Sequence, residues 1–184
     1  MKALKSIYLS IALVVAVGFT ACDKAKEKIK VDVSFDLNLP SAKLYIDTIS
    51  QFGNINLAAT TIQSNLQKTL DDNNANLDDI QSISLKRAEL TMINPGTQNF
   101  NIISKMYGSM SATGLAETQV AYLDPVPSNV TEITLNSDGA DLVEYLKKSE
   151  VNFRVSGVTT GPNTVRDTLS VKLFFTVKAK ITPQ

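Results

Sequence analysis

Few residues in this sequence are of types that carry out chemistry. Among 184 residues there is one Cys, Cys22, and there is no His and no Trp. Without His the chain cannot form a Ser-His-Asp triad or a His zinc site, and one thiol cannot form an internal disulfide or a thiolate cluster. The sequence also has no G-x-S-x-G, S-x-x-K, Walker or Rossmann motif. We therefore expect no catalytic residue, no metal and no cofactor.

Cys22 follows a segment with the features of an export signal. Lys2 and Lys5 supply positive charge, residues 7–19 are mainly apolar, and Thr20 and Ala21 are small, which is the order of a signal peptide. The apolar residues would form a helix of about 20 Å, shorter than the ~30 Å hydrocarbon core of a bilayer. A cleaved signal is therefore favoured over a permanent membrane span.

The residues before the thiol, Phe19-Thr20-Ala21-Cys22, resemble the lipobox of bacterial lipoproteins. This resemblance implies that residues 1–21 are removed, that Cys22 carries lipid such as palmitate, and that residues 22–28 form a short polar tether. It places the protein in the bacterial cell envelope, at the outer membrane in preference to the inner one, with the membrane as a partner through the lipid. Simple secretion and an uncleaved anchor are the alternatives.

The overall charge argues against a nucleic-acid partner. The 18 basic and 18 acidic residues cancel, whereas nucleic-acid-binding domains normally carry a basic excess. Removal of residues 1–21 takes away two lysines and no acidic residue, which leaves a net charge of −2. The processed protein is predicted to be mildly acidic.

Two acidic clusters have spacings that invite a functional hypothesis. The first cluster consists of Asp72, Asn74, Asn76 and Asp78. Oxygen side chains at alternate positions are typical of a calcium loop, but Leu77 and Ile83 stand where that loop needs Gly and a closing Glu, so a polar loop is favoured.

The second cluster consists of Asp138, Asp141 and Glu144. Its spacing fits capping of a short helix better than acid–base catalysis.

Apolar side chains on otherwise polar strand faces are candidates for a binding surface. Ile103, Tyr107 and Phe174, with Tyr122 as a further member, would mark a groove for an apolar ligand or a partner if they were exposed together. The favoured alternative is that helices near residues 62–70 and 140–148 cover them as part of the core.

Two tripeptides, Asp47-Thr48-Ile49 and Asp167-Thr168-Leu169, resemble the O-glycosylation site of exported proteins in some Bacteroidota. The resemblance implies that Thr48 and Thr168 are glycosylated. The alternation of residues around Thr168 predicts that its hydroxyl points to solvent.

The elements that must position these residues are mainly strands. Apolar residues alternate with polar ones over residues 29–39, 83–92 and 169–181, which is the period of a half-buried strand. A change of parity near Lys86 and Arg87 predicts a β-bulge. A short helix is predicted from Ile62 to Leu70, and it should end there because Asp71 and Asp72 oppose the helix dipole while Asn73 and Asn74 favour a turn. A second short helix is predicted after Asp138 as N-cap, and residues 151–181 are predicted to form a closing hairpin. Short turns between many strands favour an antiparallel sandwich.

The order of elements from Ser82 to Ile181 resembles the late-embryogenesis-abundant type 2, or water-stress, domain. The segments that carry the resemblance are SISLKRAELTMINP, GLAETQVAYLDPVP, ADLVEYLKKS, VNFRVSGVTTG and TLSVKLFFTVKAKI. It implies an immunoglobulin-like β-sandwich. The strand pattern and the 163 residues that follow residue 21, a length that suits one domain, extend this to a mainly β fold, an antiparallel immunoglobulin-like β-sandwich with two short peripheral helices, as a single domain over residues 29–184. The resemblance also implies a non-enzymatic role in stress or in the envelope.

The expected function is that of a membrane-anchored envelope lipoprotein that acts as a non-catalytic binding or structural module for a protein or glycan. One alternative is a periplasmic carrier of an apolar ligand. Another is a hydrolase with an unrecognised carboxylate site, which would require the three carboxylates near residue 140 to converge in a pocket.

Overall fold

Strands account for most of the described structure. The computed structural model describes residues 30–94 and 99–182, so Cys22, the predicted signal peptide (1–21) and the tether (22–28) lie outside the described residues. The strands are β1 (Val31–Asn38), β2 (Ala42–Ile46), β3 (Gly53–Gln63), β4 (Ile80–Asn94), β5 (Ile103–Ala112), β6 (Leu115–Leu123), β7 (Glu132–Ser137), β8 (Glu150–Thr159) and β9 (Asp167–Ile181).

The strands form one curled sheet in the order β1-β9-β4-β7-β6-β5-β8-β3, with β2 also paired to β9. The register pairs are antiparallel throughout. Only two residue pairs, Ala121 with Ser137 and Tyr122 with Asn136, join β6 to β7, and β2 lies against β3 from the other end of the sheet. The predicted mainly antiparallel β fold is confirmed at this level.

The β-bulge predicted in β4 is confirmed. The register of β4 against β9 shifts between Leu85 and Arg87, and Leu85 and Ala88, on either side of it, are both buried. Because side chains in a regular strand alternate between faces, residues three apart can both point inward only if one extra residue is inserted.

The predicted closing hairpin is wrong. β8 pairs with β5 and β3, whereas β9 pairs with β4 on one side and with β1 and β2 on the other. The connection through Gly161 therefore carries the chain from one part of the curled sheet to another. Alternation predicted the two strands but contains no information about which strand lies beside which.

Both predicted helices exist but are shorter than expected. Helix α1 spans Leu66–Asp72 and helix α2 spans Val143–Leu146, whereas Ile62 belongs to β3. Asn73 follows α1, where the chain was predicted to turn. The helices contribute three leucines to the buried core, Leu66, Leu70 and Leu146, and Leu142 just before α2 is buried with them.

The prediction that Asp138 caps the second helix is wrong. Leu142 is the N-cap residue and makes no side-chain capping bond. Asp138 Oδ1 instead accepts a hydrogen bond from the Ala140 N–H at 3.2 Å. Asp141 Oδ1 accepts from the N–H groups of Ile83 and Val143 at 3.2 and 3.3 Å, and so ties the start of α2 to β4.

Two glycines allow close approach between β5 and β8. A Cβ at Gly108 would lie 2.8 Å from Cζ of the buried Phe153 ring, and a Cβ at Gly157 would lie 2.7 Å from the backbone oxygen of Lys105. The ring can tilt, but the oxygen belongs to a strand backbone that is fixed by its own ladder. Gly157 is therefore the more demanding position.

We expect Gly157→Ala to lower the free energy of unfolding by about 1–3 kcal/mol, the usual cost of overpacking. Gly161→Ala is the matched control, since its added Cβ would meet only the Ile102 side chain at 3.6 Å, an ordinary contact. Urea denaturation of both variants measures the effect. Equal stability of the two would contradict the close packing at Gly157.

Candidate functional site

The structure does not bring the three predicted apolar residues onto one surface. Ile103 is 4% exposed and lies in the core, while Tyr107 and Phe174 are partly exposed on the outer face of the sheet. The added candidate, Tyr122, is 41% exposed. The prediction of a shared surface is therefore wrong for Ile103, which is buried, whereas Tyr122 is exposed.

The aromatic residues on the outer face lie in register across neighbouring strands. Tyr107 in β5 is opposite Tyr122 in β6, and Tyr122 is opposite Asn136 in β7. On the other side Tyr107 is opposite Ser156 in β8, which is opposite Asn56 in β3. We call these five residues the tyrosine row. Residues in register share a face of a sheet, and adjacent members are about 5 Å apart.

Phe174 lies two strands beyond the tyrosine row and is already covered. Arg87 is its register partner and places its guanidinium 3.9 Å from the centre of the Phe174 ring. Arg87 Nε also lies 2.7 Å from Glu89 Oε1. The guanidinium therefore screens the ring, and the three side chains satisfy one another.

A shallow depression of about 280 Å³ adjoins the tyrosine row at Tyr107. Its wall is mostly polar, with amide and hydroxyl groups beside the phenol ring. The lining residues are Asn54, Ile55, Asn56, Tyr107, Ser156 and Gly157.

The charged side chains that flank the row are paired. Lys105 Nζ lies 2.7 Å from Asp124 Oδ2, and Arg154 Nε lies 3.4 Å from Glu117 Oε2. The hydrogen bond and the charge of Asp124 raise the pKa of Lys105 above its ordinary value, so its ammonium stays protonated. Each cation near the row therefore has its own anion.

Two of the residues predicted as a polar loop after α1, Asp72 and Asn76, bond to side chains nearby in the sequence. Lys68 Nζ lies 2.6 Å from Asp72 Oδ2, and the backbone and side-chain N–H groups of Asn76 both donate to Asp79 Oδ2 at 3.1 Å. Asn74 has a φ of 53°, a conformation that Asn tolerates in turns. Over residues 30–94 and 99–182 no group of three or more His, Cys, Asp or Glu is placed to hold a metal ion.

The three carboxylates near residue 140 are engaged locally. Asp138 and Asp141 accept backbone hydrogen bonds, and Glu144 Oε1 lies 2.9 Å from Lys147 Nζ one turn along the chain. These bonds account for all three side chains as parts of the turn and the helix.

The two Asp-Thr tripeptides lie at the same end of the sheet. Tyr45 is opposite Thr168 and Ile46 is opposite Asp167 where β2 pairs with β9. The loops beyond are joined by two bonds, from Ile49 N–H to Asn163 O at 2.7 Å and from Asn163 N–H to Ile49 O at 2.9 Å. Thr48 is exposed and Thr168 is half-buried. Nothing in the sequence indicated that sites 120 residues apart would be neighbours.

Asp167 is a buried carboxylate that sequence reasoning missed. It is 5% exposed, Oδ2 accepts a hydrogen bond from Asn163 Nδ2 at 2.6 Å, and Oδ1 has no hydrogen-bond partner. Loss of solvation raises the pKa of Asp167 above 3.8, and the bond from Asn163 opposes this rise. Sequence patterns predict that a polar Asp at the start of a strand is exposed, so nothing in the sequence indicated that Asp167 is buried.

The described residues contain no helix long and apolar enough to cross a membrane.

Asp167 should give the folded protein a distinct dependence on pH. A raised pKa means that the folded state holds the proton more tightly than the unfolded chain, so the contribution of Asp167 is most favourable below its unfolded pKa and is lost as pH rises through the folded value. We expect the free energy of unfolding of Asp167→Asn to fall less than that of the wild type as pH rises above about 4, as measured by urea denaturation. The control is Asp47→Asn, whose side chain is 80% exposed; an Asp167→Asn curve parallel to the wild type would contradict this assignment.

Comparisons with known proteins give no family for this chain. No family model matches it, and no curated protein matches it. Among solved structures, it is similar to Desmodium yellow mottle tymovirus (7% identity, 84% of this chain and 91% of that chain, TM-score 0.25) and to Triatoma virus (14%, 86% and 68%, TM-score 0.28). It is also similar to tomato aspermy virus (8%, 94% and 95%, TM-score 0.23). These scores are too low to assign a shared fold.

Proposed function

We propose that this chain is a lipid-anchored protein of the bacterial cell envelope whose β domain is a non-catalytic binding or structural module. The observation that carries the proposal is the position of the only thiol, Cys22, directly after a basic, apolar and small-residue segment. A lone Cys beside Asp23 has little use as a core residue, whereas lipid attachment requires a thiol at this point.

The chemistry of acylation explains why such an anchor holds. Each buried methylene contributes about 0.8 kcal/mol, so one chain binds marginally and reversibly, whereas two or three chains anchor a protein stably. The polar residues 23–28 span at most about 20 Å when extended. The β domain would therefore stay near the bilayer surface.

We also propose that the curled sheet is an immunoglobulin-like sandwich. The short join of β6 to β7 divides the sheet into one part with β1, β2, β9, β4 and β7 and another with β6, β5, β8 and β3. Contact of β2 with β3 and the shared core support two layers that pack face to face.

The tyrosine row supports the binding role. Its residues stand on adjacent strands, where side chains are held more firmly than on loops. No specific observation favours a carrier of an apolar ligand, because Ile103 is buried and Tyr122 is exposed, so they do not line one groove. None favours a hydrolase either, because the three carboxylates near residue 140 bond within the turn and helix around them.

Cys22→Ser should abolish incorporation of radiolabelled palmitate and shift the protein out of the membrane fraction. Serine keeps the size of the side chain but removes the thiol to which lipid is attached. Thr20→Ser, which keeps a small residue before the thiol, should label normally. Labelling of Cys22→Ser, or its complete recovery with the lipid fraction, would refute the anchor.

If the Asp-Thr tripeptides are glycosylated, Thr48 should carry more glycan than Thr168, because Thr48 is exposed and Thr168 is half-buried in β9. Intact mass of the protein from its native host measures this, and Thr48→Ala should lose more added mass than Thr168→Ala. An unmodified mass would end the hypothesis.

A further inference from the structure

The tyrosine row crosses five strands of the sheet. It runs through β7, β6, β5, β8 and β3 in the order Asn136, Tyr122, Tyr107, Ser156 and Asn56. Four strand spacings of about 4.8 Å give a length of about 19 Å. The row thus combines two phenol rings with two amides and a hydroxyl, and it contains no charged side chain.

The backbone around the row holds it in place. The neighbours of its members along the strands point inward and are buried, as Leu135, Ala121, Met106 and Val155 show. Gly108 and Gly157 directly follow Tyr107 and Ser156 and face the core at close contact. The strands that carry the row are therefore held by a packed interior, and they lose little conformational freedom when a ligand binds.

Electrostatics select the charge of the ligand. The cations beside the row are Lys105, Arg154 and Arg87, the register partner of Asn136, and each lies against a carboxylate. An anionic ligand would have to displace Asp124, Glu117 or Glu89, and a cationic one would find all three carboxylates already neutralised. The face is therefore complementary to an uncharged, polar ligand.

Shape and chemistry narrow this class further. A pyranose ring presents C–H groups on its faces and hydroxyls around its rim, so it offers apolar surface to a phenol ring and hydrogen bonds to amides and hydroxyls at once. Tyr122 is 41% exposed, and the depression beside Tyr107 has amide groups of Asn54 and Asn56 in its wall. A single sugar would fill only part of a row of this length.

We propose that the tyrosine row binds a neutral oligosaccharide that lies across the strands, with Tyr122 and Tyr107 against sugar faces and with Asn136, Ser156 and Asn56 bonded to hydroxyls. This inference rests on the proposed binding function and gives it a ligand class. Phe174 is not part of the site, because Arg87 covers its ring.

The test uses the full chain in lipid nanodiscs, which avoids the sugar head groups of maltoside and glucoside detergents. An array of defined neutral and acidic oligosaccharides identifies ligands, and calorimetric titration of the neutral ones measures affinity. We expect Tyr122→Ala and Asn136→Ala to weaken binding, the first by about tenfold, as for a central aromatic contact. Tyr122→Phe, which keeps the ring, should retain most of the affinity.

The matched controls are Tyr45→Ala and Phe52→Ala, which remove aromatic side chains that are 49% and 68% exposed elsewhere on the protein. Both should bind like the wild type. Three results would overturn the proposal: no binding of any neutral oligosaccharide, binding of acidic ones only, or binding that survives Tyr122→Ala and Asn136→Ala. Loss of binding in a control would place the site elsewhere and would equally overturn it.

Circular dichroism and thermal unfolding show whether each variant is folded, and Tyr122 is exposed enough to be replaced without loss of core contacts. Palmitate labelling of the same preparations separates the two proposals. A labelled protein that binds no neutral glycan would refute this inference and leave the anchor intact.

Discussion

Burial of one face of β9 is the interaction on which the rest of the structure depends. Alternate side chains of this strand, from Leu169 to Ala179, are at most 1% exposed, and a fully buried aliphatic or aromatic side chain of this kind contributes about 1.5–3 kcal/mol. β9 also pairs with β4 along one side and with β1 and β2 along the other. A strand with both edges paired and one face in the core fixes the register of its neighbours, because a slip of one residue would turn the buried face outward.

The local features of the fold could be predicted from the sequence because they depend on nearby residues. The bulge between Leu85 and Arg87 followed from parity alone, and the end of α1 followed from two acids and two asparagines. Features that depend on distant partners could not be predicted in this way. The false hairpin of β8 and β9 shows the difference, since each strand was recognised but its neighbours come from chain segments far away.

The same contrast between local and distant features explains which parts of the candidate site could be predicted. Tyr107, Tyr122 and Phe174 were recognised as apolar residues on polar faces, but only the register shows that the first two are adjacent while Arg87 covers the third. Asn56, Asn136 and Ser156 are common surface residues with no signal of their own, and they gain meaning only as members of one row. Asp167 escaped notice for the opposite reason, since its type indicates exposure and the fold buries it.

The edge position of β1 determines how the domain would respond to force transmitted through an N-terminal anchor. Leu39 N–H bonds to Leu173 O at 3.1 Å, and Ile46 lies opposite Asp167 further along, so the chain from β1 through β2 follows β9 over much of its length. A pull along β1 would act at right angles to the hydrogen bonds and strain many of them together, whereas peeling would break them one at a time. Under the proposed anchoring at Cys22, this arrangement would let the domain resist a force that acts through its N-terminus.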